Sequence, residues 1–564
     1  MRTVPGYRNL RSYQLPWLRQ DLLAGISLSA VMVPAGMGYA QAAGLPPITG
    51  LYATVPPLIA YAILGPSRIL VVGPDSALVP LIAATVLPLA GGDPARATAL
   101  AGTLALLTGV ICVLGAIGRL GFASDFVSAP VRYGYVNGIA LTVIIGQLPK
   151  LFGFSVSGNG AVPELTGFVG GLAGGRTVVP ALVLGGLALA LILACRLWLP
   201  RVPGVLVAVV LATLAVGALG LSHELQTVGV IPRGLPQPRL PAPTPADLSR
   251  LLSPALAIAL VAYTDTAVLS RAFAVRGRYE ASPNQELLAL GVANAAAGFF
   301  QGFPISSSGT RTPVAESTGA RTQLAGVTGA AVVVLLLLVG AGLLRNLPTA
   351  ALAAVVMAAA LGLFEVRNVR RLLSADRPEF ALSIISFLAV VLLGVLPGIA
   401  VSVGLSLLDF IRHAWRPHDA VLGRVDGVKG YHDLARHPDA RQIPGLLLFR
   451  WDAPLFFANS GLFQQRVRRL VAAGPQVRWL VVAAEPITDV DSTGFDMLEE
   501  LRIELEGAGI QLAFAEMKGP VKDRVARYGL MKSLGSDFFF PTMGMAVKEY
   551  LRRTGVDWQD WEGP

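Results

Sequence analysis

Apolar residues occur along this chain in long blocks, separated by short stretches rich in arginine, glycine and proline. The blocks lie at 22–43, 50–64, 98–117, 125–148, 178–197, 203–221, 253–274, 287–300, 323–344, 348–364, 379–395 and 398–413. A helix that crosses a bilayer needs ~20 mostly apolar residues, so each block predicts one span. Two further segments are shorter and broken by turn-forming residues. One follows Gly73-Pro74-Asp75-Ser76, the other Pro304-Ile305-Ser306-Ser307-Ser308-Gly309-Thr310. Together with the twelve blocks they predict fourteen membrane elements.

The charges follow a matching pattern. Arg119, Arg196 with Arg201, the group Arg271, Arg276 and Arg278, and the group Arg367, Arg370, Arg371 and Arg377 sit in alternate connections. Arg412 and Arg416 follow the last block, and Arg2, Arg8, Arg11 and Arg19 precede the first. Loops rich in Lys and Arg stay on the cytoplasmic side, so all of these predict a cytoplasmic face. No short apolar region with a small-residue cleavage site is visible, so the first block reads as a retained helix rather than a signal peptide. The opposite connections, such as 152–175 and 222–248, are rich in Gly and Pro and poor in positive charge. The second is long, polar and central. It divides the membrane region into two halves of seven elements. An odd number per half forces the halves into opposite orientations, the arrangement of inverted-repeat transporters.

After Arg416 the pattern changes. Buried strands are expected at 446–449, 479–483 and 511–515, and helices at 462–473, 492–506, 520–528 and 543–553. No apolar run there is long enough to span. The expected organisation is a cytoplasmic N-terminal segment at 1–20, an all-α polytopic membrane domain at 21–416, a linker at 417–429 and a cytoplasmic α/β domain at 430–555.

Composition agrees. Of 564 residues, 54% are hydrophobic and 14% charged, against about 25% charged in soluble proteins. The formal net charge is +10, but no basic reading helix or aromatic-basic groove accompanies it, so nucleic acid is not an expected partner. Cys112 and Cys195 lie inside apolar blocks, and His223, His413, His418, His432 and His437 lie in or near loops. That placement gives neither a disulfide framework nor zinc spacing, and no metal is expected. No nucleophile–base pair or phosphate-binding loop stands in the required context, so neither an enzyme nor a cofactor is expected.

The two interrupted segments carry the candidate chemistry. Each is the third element of its half, and each has an extended stretch (69–72 and 303–306) before a turn and a short helix. Irregular backbone at membrane depth is tolerated where it lines a cavity or is buried in protein. If the two short helices meet near the midplane, their N-termini face each other. Each brings unpaired N–H donors and about half a positive charge, a ready anion site. The bland alternative is a pair of ordinary kinked helices. Asp75 sits at the start of the first short helix, either capping free N–H groups or meeting substrate. Thr310 and Arg311 open the second. Arg311 either presents its planar fork to an oxyanion or pairs with an acid such as Glu316 or Asp265. Asp265, in Tyr263-Thr264-Asp265-Thr266, is an ionisable group inside a span. Such a group marks a functional position by default, here either a proton-coupling site or a polar lock between helices. Tyr39, near Pro34 and Gly36, either lines the pocket or packs.

Several motifs resemble one family. Pro34-Ala35-Gly36-Met37-Gly38-Tyr39-Ala40 with Gly44-Leu45-Pro46-Pro47-Ile48-Thr49-Gly50-Leu51-Tyr52 resembles the first signature of the sulfate permease (SulP) anion transporters. Gly73-Pro74-Asp75-Ser76-Ala77, Asn284-Gln285-Glu286-Leu287, Phe303-Pro304-Ile305-Ser306-Ser307-Ser308, Glu316-Ser317-Thr318-Gly319 and Thr322-Gln323-Leu324-Ala325-Gly326 resemble later ones, in order. The C-terminal domain resembles the STAS domain, with Asp489-Val490-Asp491-Ser492-Thr493-Gly494 similar to its strand-to-helix loop. In related anti-sigma-factor antagonists a hydroxyl residue of this loop is phosphorylated. The resemblance thus points to Ser492 or Thr493 as a regulatory position, beside a plainer reading in which Asp491 and Ser492 cap the helix.

The resemblance implies a seven-plus-seven inverted repeat with two half-helices and core and gate subdomains. It implies a substrate site at Ala35, Tyr39, Asp75, Ser76, Thr264 to Thr266, Ser308, Gly309, Thr310 and Arg311; the coupling role of Asp265 rests on its place inside a span. Many members carry Gln where this chain has Ala35, so one hydrogen-bonding side chain is absent. The chain looks close to a bacterial proton-coupled fumarate transporter. The expected function is therefore a dicarboxylate symporter of the bacterial inner membrane with both termini cytoplasmic. The alternatives are a sulfate or bicarbonate carrier, an anion exchanger, an uncoupled channel, or a membrane-anchored STAS regulator. Expected partners are a small anion, the lipid bilayer, a second copy of the chain and a protein that binds the STAS domain.

Overall fold

Proline opens most of the spans. It stands in the first turn of the helices at Pro16, Pro56, Pro94, Pro130, Pro180, Pro245, Pro283 and Pro378, where its missing N–H costs nothing and its fixed φ suits the helix. The computed structural model describes residues 5–6, 13–122, 127–156, 160–199, 202–230, 232, 234–473 and 476–558. Arg2, Arg8, Arg11, Asp125 and Arg201, used above, lie outside these. The chain divides into two compact units, Met1–Leu407 and Leu408–Pro564.

The first half of the membrane unit runs α1 (Pro16–Ala42), α2 (Ile48–Tyr52), α3 (Val55–Leu64), β1 (Val72–Gly73), α4 (Val79–Ala90), α5 (Pro94–Ile117), α6 (Ala129–Leu151), α7 (Ala161–Ala173), α8 (Val179–Trp198) and α9 (Gly204–Ala218). The second runs α10 (Pro245–Gly277), α11 (Pro283–Phe299), β2 (Ser306–Ser307), α12 (Arg311–Ser317), α13 (Leu324–Leu335), α14 (Thr349–Leu361), α15 (Val366–Ala375), α16 (Arg377–Leu393) and α17 (Val395–Trp415). With α2 and α3 as one span, and each two-residue strand joined to its short helix, the expected fourteen segments are present. Two helices were not expected. α7 lies inside the Gly/Pro-rich connection 152–175, and α15 lies between two spans. They occupy the same place in the two halves, between the fifth and sixth segments.

Packing obeys the inverted repeat. α5 packs on α11 and α10, and its mate α13 packs on α3 and α1. Another set forms around α6, which packs on α16 and α14, while α14 packs on α8. These are the core and gate subdomains. Small residues allow the closest approach: Gly102 and Gly109 of α5 face Gly298 and Gly291 of α11, and a Cβ on Gly109 would stand 2.7 Å from the Gly291 carbonyl oxygen. Without a hydrophobic drive between helices in lipid, such close backbone packing holds them together. Val183 and Leu187 of α8 and Leu388 and Leu392 of α16 remain exposed, as lipid-facing side chains do.

The second unit carries a six-stranded sheet. Its strands are β3 (Asp419–Arg424), β4 (Tyr431–Asp433), β5 (Leu446–Trp451), β6 (Trp479–Ala483), β7 (Gln511–Ala515) and β8 (Phe539–Phe540), in the order β4-β3-β5-β6-β7-β8. β5 to β8 are parallel, while β3 is antiparallel to both β4 and β5. The helices are α18 (Ser460–Ala473), α19 (Ser492–Gly507), α20 (Gly519–Tyr528), α21 (Leu530–Leu534) and α22 (Met543–Thr554). Alternation along β5 sends Leu447, Phe449 and Trp451 to a core with Phe463 and Leu501, and Leu446 and Leu448 to a second core with Val547 and Tyr550. Strand β3 falls in the stretch 417–429 that was expected to be a linker. β4 and β8 were also missed, being too short to show a period.

Candidate functional site

The two interrupted segments meet. β1 and β2 pair antiparallel, with Val72 opposite Ser307 and Gly73 opposite Ser306. Two buried amides hold the approach to these strands. Gln323 Nε2 donates to the Ser67 and Leu70 carbonyls, both at 2.9 Å. Asn294 Nδ2 donates to the Ile305 carbonyl at 3.1 Å, and its Oδ1 accepts from the Ile305 amide at 2.9 Å. The other half contributes as well. The Val71 amide donates to Thr312 Oγ1 at 3.1 Å, and the Ser308 amide to the Val71 carbonyl at 3.0 Å. These bonds satisfy backbone groups on both sides of the strand pair, as a water-poor interior requires. None of Asn294, Gln323 and Thr312 is a site residue in the sequence reading; Gln323 and Thr312 act across long chain separations, and Asn294 is a lone amide in an apolar block.

Arg311 is the first helical residue of α12 and is 1% exposed. Its Nη2 donates to the Pro74 carbonyl oxygen in the turn of the opposite segment. Nε and Nη1 are buried and have no hydrogen-bond partner among the described residues. The acid partners suggested by sequence do not take this role. Glu316 pairs with Arg276 at 3.1 Å, and Asp265 makes no ion pair with Arg311. Gly73 lies against the guanidinium, since a Cβ there would sit 3.0 Å from Nη1.

Asp75 is buried and accepts from the Ala77 amide at 3.0 Å. It caps a turn ahead of α4 and does not stand in its first turn, because regular helix begins at Val79. The Tyr39 side chain, buried on α1, interacts electrostatically with Asp75, Arg311 and Ser76. Ala35 lies one turn earlier on the same face and is also buried. From α10, Thr266 Oγ1 accepts from the Ser307 amide at 3.3 Å, and Thr264 bonds its own helix at the Leu260 carbonyl, 2.7 Å. Asp265, half-buried, interacts electrostatically with Asp75 and Arg132.

At the tip of α12, Ser308 Oγ accepts from the Arg311 amide at 3.2 Å and lies 3.2 Å from Thr310 Oγ1. Gly309 and Thr310 are exposed, with open space where a Gly309 side chain would be. The structure thus brings Tyr39, Asp75, Ser76, Ser308 and Arg311 to one place, beside an opening marked by Gly309 and Thr310. Buried N–H donors and one guanidinium with free donors can hold a compact, acceptor-rich anion.

A buried carboxylate near the core helices was not anticipated. Glu286 of α11 accepts from the Tyr61 hydroxyl and, at 2.9 Å, from the Ser270 hydroxyl. It joins α3, α10 and α11. In the second unit, Asp491 caps α19 by accepting from the Gly494 amide at 2.7 Å. Ser492 and Thr493 are exposed in its first turn, and Ser492 makes no capping bond, so capping falls to Asp491 alone.

Comparison with known proteins bears on this arrangement. The sequence pattern of the Sulfate permease family matches residues 18–386, and that of the STAS domain matches 437–546. A probable sulfate transporter of Mycobacterium tuberculosis is 42% identical over 552 residues, covering 98% of both chains. The solved structure of the murine Solute Carrier 26 family member A9 anion transporter in the inward-facing state superposes with a TM-score of 0.90 at 24% identity, covering 97% of this chain and 94% of that one. The transmembrane domain of a cyanobacterial bicarbonate transporter superposes with a TM-score of 0.60 at 23% identity, covering 70% of this chain and 98% of that one. At those identities the structures speak for the fold. The expected closeness to a fumarate transporter finds no support here, since the sequence relative named above carries the name of a probable sulfate transporter. The chain belongs to the sulfate permease family and is a multi-pass membrane transporter of anions, not an enzyme.

Proposed function

We propose that the chain is a secondary-active carrier of small oxyanions that works by alternating access, with the core helices carrying the site past the gate helices. One observation carries this reading: the paired strands β1 and β2 present a buried Arg311 whose Nε and Nη1 have no hydrogen-bond partner among the described residues. Unpaired buried donors are costly, and an oxyanion satisfies them. Sulfate is the first substrate, in keeping with the name of the 42%-identical relative. Bicarbonate, the cargo in the name of the cyanobacterial neighbour, belongs to the same class.

A dicarboxylate such as fumarate is the second reading. Ala35 brings no hydrogen-bonding side chain to the pocket, and the open space at Gly309 leaves room for a longer anion. Asp265, which interacts electrostatically with Asp75 and Arg132, is the residue assigned to proton coupling. The cell setting proposed is a bacterial inner membrane with both termini and the STAS domain on the cytoplasmic side, where the arginine-rich loops lie. Homodimers and a protein partner of the STAS domain complete the proposal, with Ser492 or Thr493 as the modification position.

Uptake of labelled sulfate and of labelled fumarate into proteoliposomes, each with and without an inward proton gradient, tests it. Saturable uptake of sulfate supports the first reading, and preference for fumarate the second. Uptake indifferent to the gradient removes the coupling, strict dependence on a trapped counter-anion converts the carrier to an exchanger, and conduction far above carrier turnover converts it to a channel.

A further inference from the structure

The helices α7 and α15 occupy equivalent places in the two halves and differ sharply in charge. α7 carries Glu164 and no arginine or lysine, whereas α15 carries Arg367, Arg370 and Arg371 and no acid. The i, i+3, i+4 spacing puts the three guanidinium groups on one face. Val366, Val369, Leu372 and Leu373 gather on another. No residue of α15 is buried. Val369 and Leu372 are half-buried, but Val366 is 47% and Leu373 54% exposed, so the apolar face is only partly spent on packing against protein. All three arginines are exposed, and none of their guanidinium groups makes an ion pair or hydrogen bond among the described residues. The acids at the ends of the helix are engaged elsewhere: Glu365 accepts from Asn368 Nδ2, and Asp376 accepts from the Glu379 amide at 3.1 Å.

We propose that α15 is a docking site for anionic phospholipid headgroups. A short helix with a basic face beside a partly exposed apolar face suits the boundary between headgroups and acyl chains. Arginine forks match phosphate oxygens in a bidentate way, and clustered arginines beside a span draw acidic lipid. The apolar side chains enter the acyl boundary while the guanidinium groups hold the phosphates. The site is coupled to the gate. The Glu365 amide, at the foot of α15, donates to Asn137 Oδ1 of α6 at 2.7 Å, and α15 packs on both α6 and α16. Lipid bound there steadies one arrangement of the gate helices.

The test uses the purified full chain in neutral detergent, titrated with short-chain phosphatidylglycerol, short-chain phosphatidylcholine or inorganic phosphate, with the thermal unfolding midpoint as readout. A ligand of the folded state raises that midpoint. Phosphatidylglycerol is expected to raise it saturably, with the effect fading at high salt, while phosphatidylcholine and inorganic phosphate leave it unmoved. The combined Arg367→Gln, Arg370→Gln and Arg371→Gln variant is expected to need on the order of tenfold or more phosphatidylglycerol for the same shift. The matching triple Lys variant is expected to keep most of the response. If the triple Gln chain does not fold, the three single Arg→Gln variants replace it, each expected to lose part of the response. An equal phosphatidylglycerol response in wild type and the Gln variants overturns the proposal, as does an equal response to phosphatidylcholine. A shift reproduced by inorganic phosphate alone assigns the arginines to a soluble anion and overturns it too.

Discussion

Arg311 donates through Nη2 to the carbonyl oxygen of Pro74, so the guanidinium at the head of one interrupted segment is anchored on the backbone turn of the other. That bond orients the fork and leaves Nε and Nη1 as the unpaired donors. Charge-assisted hydrogen bonds contribute about 1.5–3 kcal/mol each. Arg311→Gln is therefore expected to raise the half-saturating anion concentration by roughly ten- to a hundredfold. Arg311→Lys keeps the charge and loses the planar fork, so it should fall between. Initial uptake rates over a range of sulfate concentrations check this. An unchanged half-saturating concentration in Arg311→Gln would remove the guanidinium from the site.

Gly36 and Gly50 explain part of the first sequence signature. A Cβ on Gly50 would land on the Gly36 carbonyl, so α1 and α2 touch backbone to backbone. Gly50→Ala forces them apart, and overpacking of this kind costs about 1–3 kcal/mol. Gly309→Ala meets open space and is expected to change stability by less than about 0.5 kcal/mol. Thermal unfolding of the two variants in detergent should separate them clearly, with only Gly50→Ala lowering the midpoint.

The spans are legible in the sequence because lipid demands long apolar blocks, and the inverted repeat is legible because the central polar connection leaves an odd number of elements on either side. The strand–turn–helix form of the third and tenth segments is readable from Gly73-Pro74 and Pro304 to Gly309. What holds those segments is not. Asn294 on Ile305 and Gln323 on Ser67 and Leu70 are single polar residues in apolar blocks, and nothing local says which backbone they reach. α7 and α15 escape for another reason. Their 13 and 10 residues are too short for a span, and both lie in connections that the apolar blocks merely bracket. Arg311 was seen, but its partner is a carbonyl that no pattern of acids reveals.

Asp265 feels the like charge of Asp75 and the opposite charge of Arg132, so α10 is drawn toward the start of α6 and sensitive to the acid in the turn before α4. If it carries the coupled proton, Asp265→Asn should leave anion uptake driven by its own concentration gradient largely intact. The acceleration caused by an inward proton gradient should then disappear. Parallel uptake series with and without the gradient decide this. Gradient-stimulated uptake in Asp265→Asn equal to wild type would exclude Asp265 as the coupling residue.

In the second unit, Arg552 and Arg553 hold Glu549 by hydrogen bonds at 2.6 Å and lower its carboxyl to about 2. A carboxyl lowered on folding adds stability that is complete above its unfolded value, about 4.3. That stability is lost as pH falls through the folded one. Glu549→Gln should therefore loosen α22 near neutral pH and match wild type at the acid end of that window. Hydrogen exchange of peptides spanning 543–554, compared between the two proteins at each pH, reads the difference. The effect should be small, because the pair is exposed to solvent.

The start of the sheet just after α17 predicts how the chain can be cut. A truncation at 430, where the sequence alone would end the linker, keeps β3 and removes β5, its antiparallel partner from Asp419 opposite Trp451 to Leu422 opposite Leu448. It leaves an unpaired strand carrying Val421 and Leu422, whose side chains belong to cores that are no longer there. Unpaired strand edges with apolar faces invite association. A truncation after Arg416 removes the sheet whole and keeps α17 complete. The chain ending at 416 should elute as a single species and retain anion uptake, with a changed rate or abundance. The chain ending at 429 should aggregate. Size-exclusion profiles of the two, followed by sulfate uptake at matched protein density, test both statements. Complete loss of uptake in a well-folded 1–416 chain would show instead that the STAS domain takes part in transport itself.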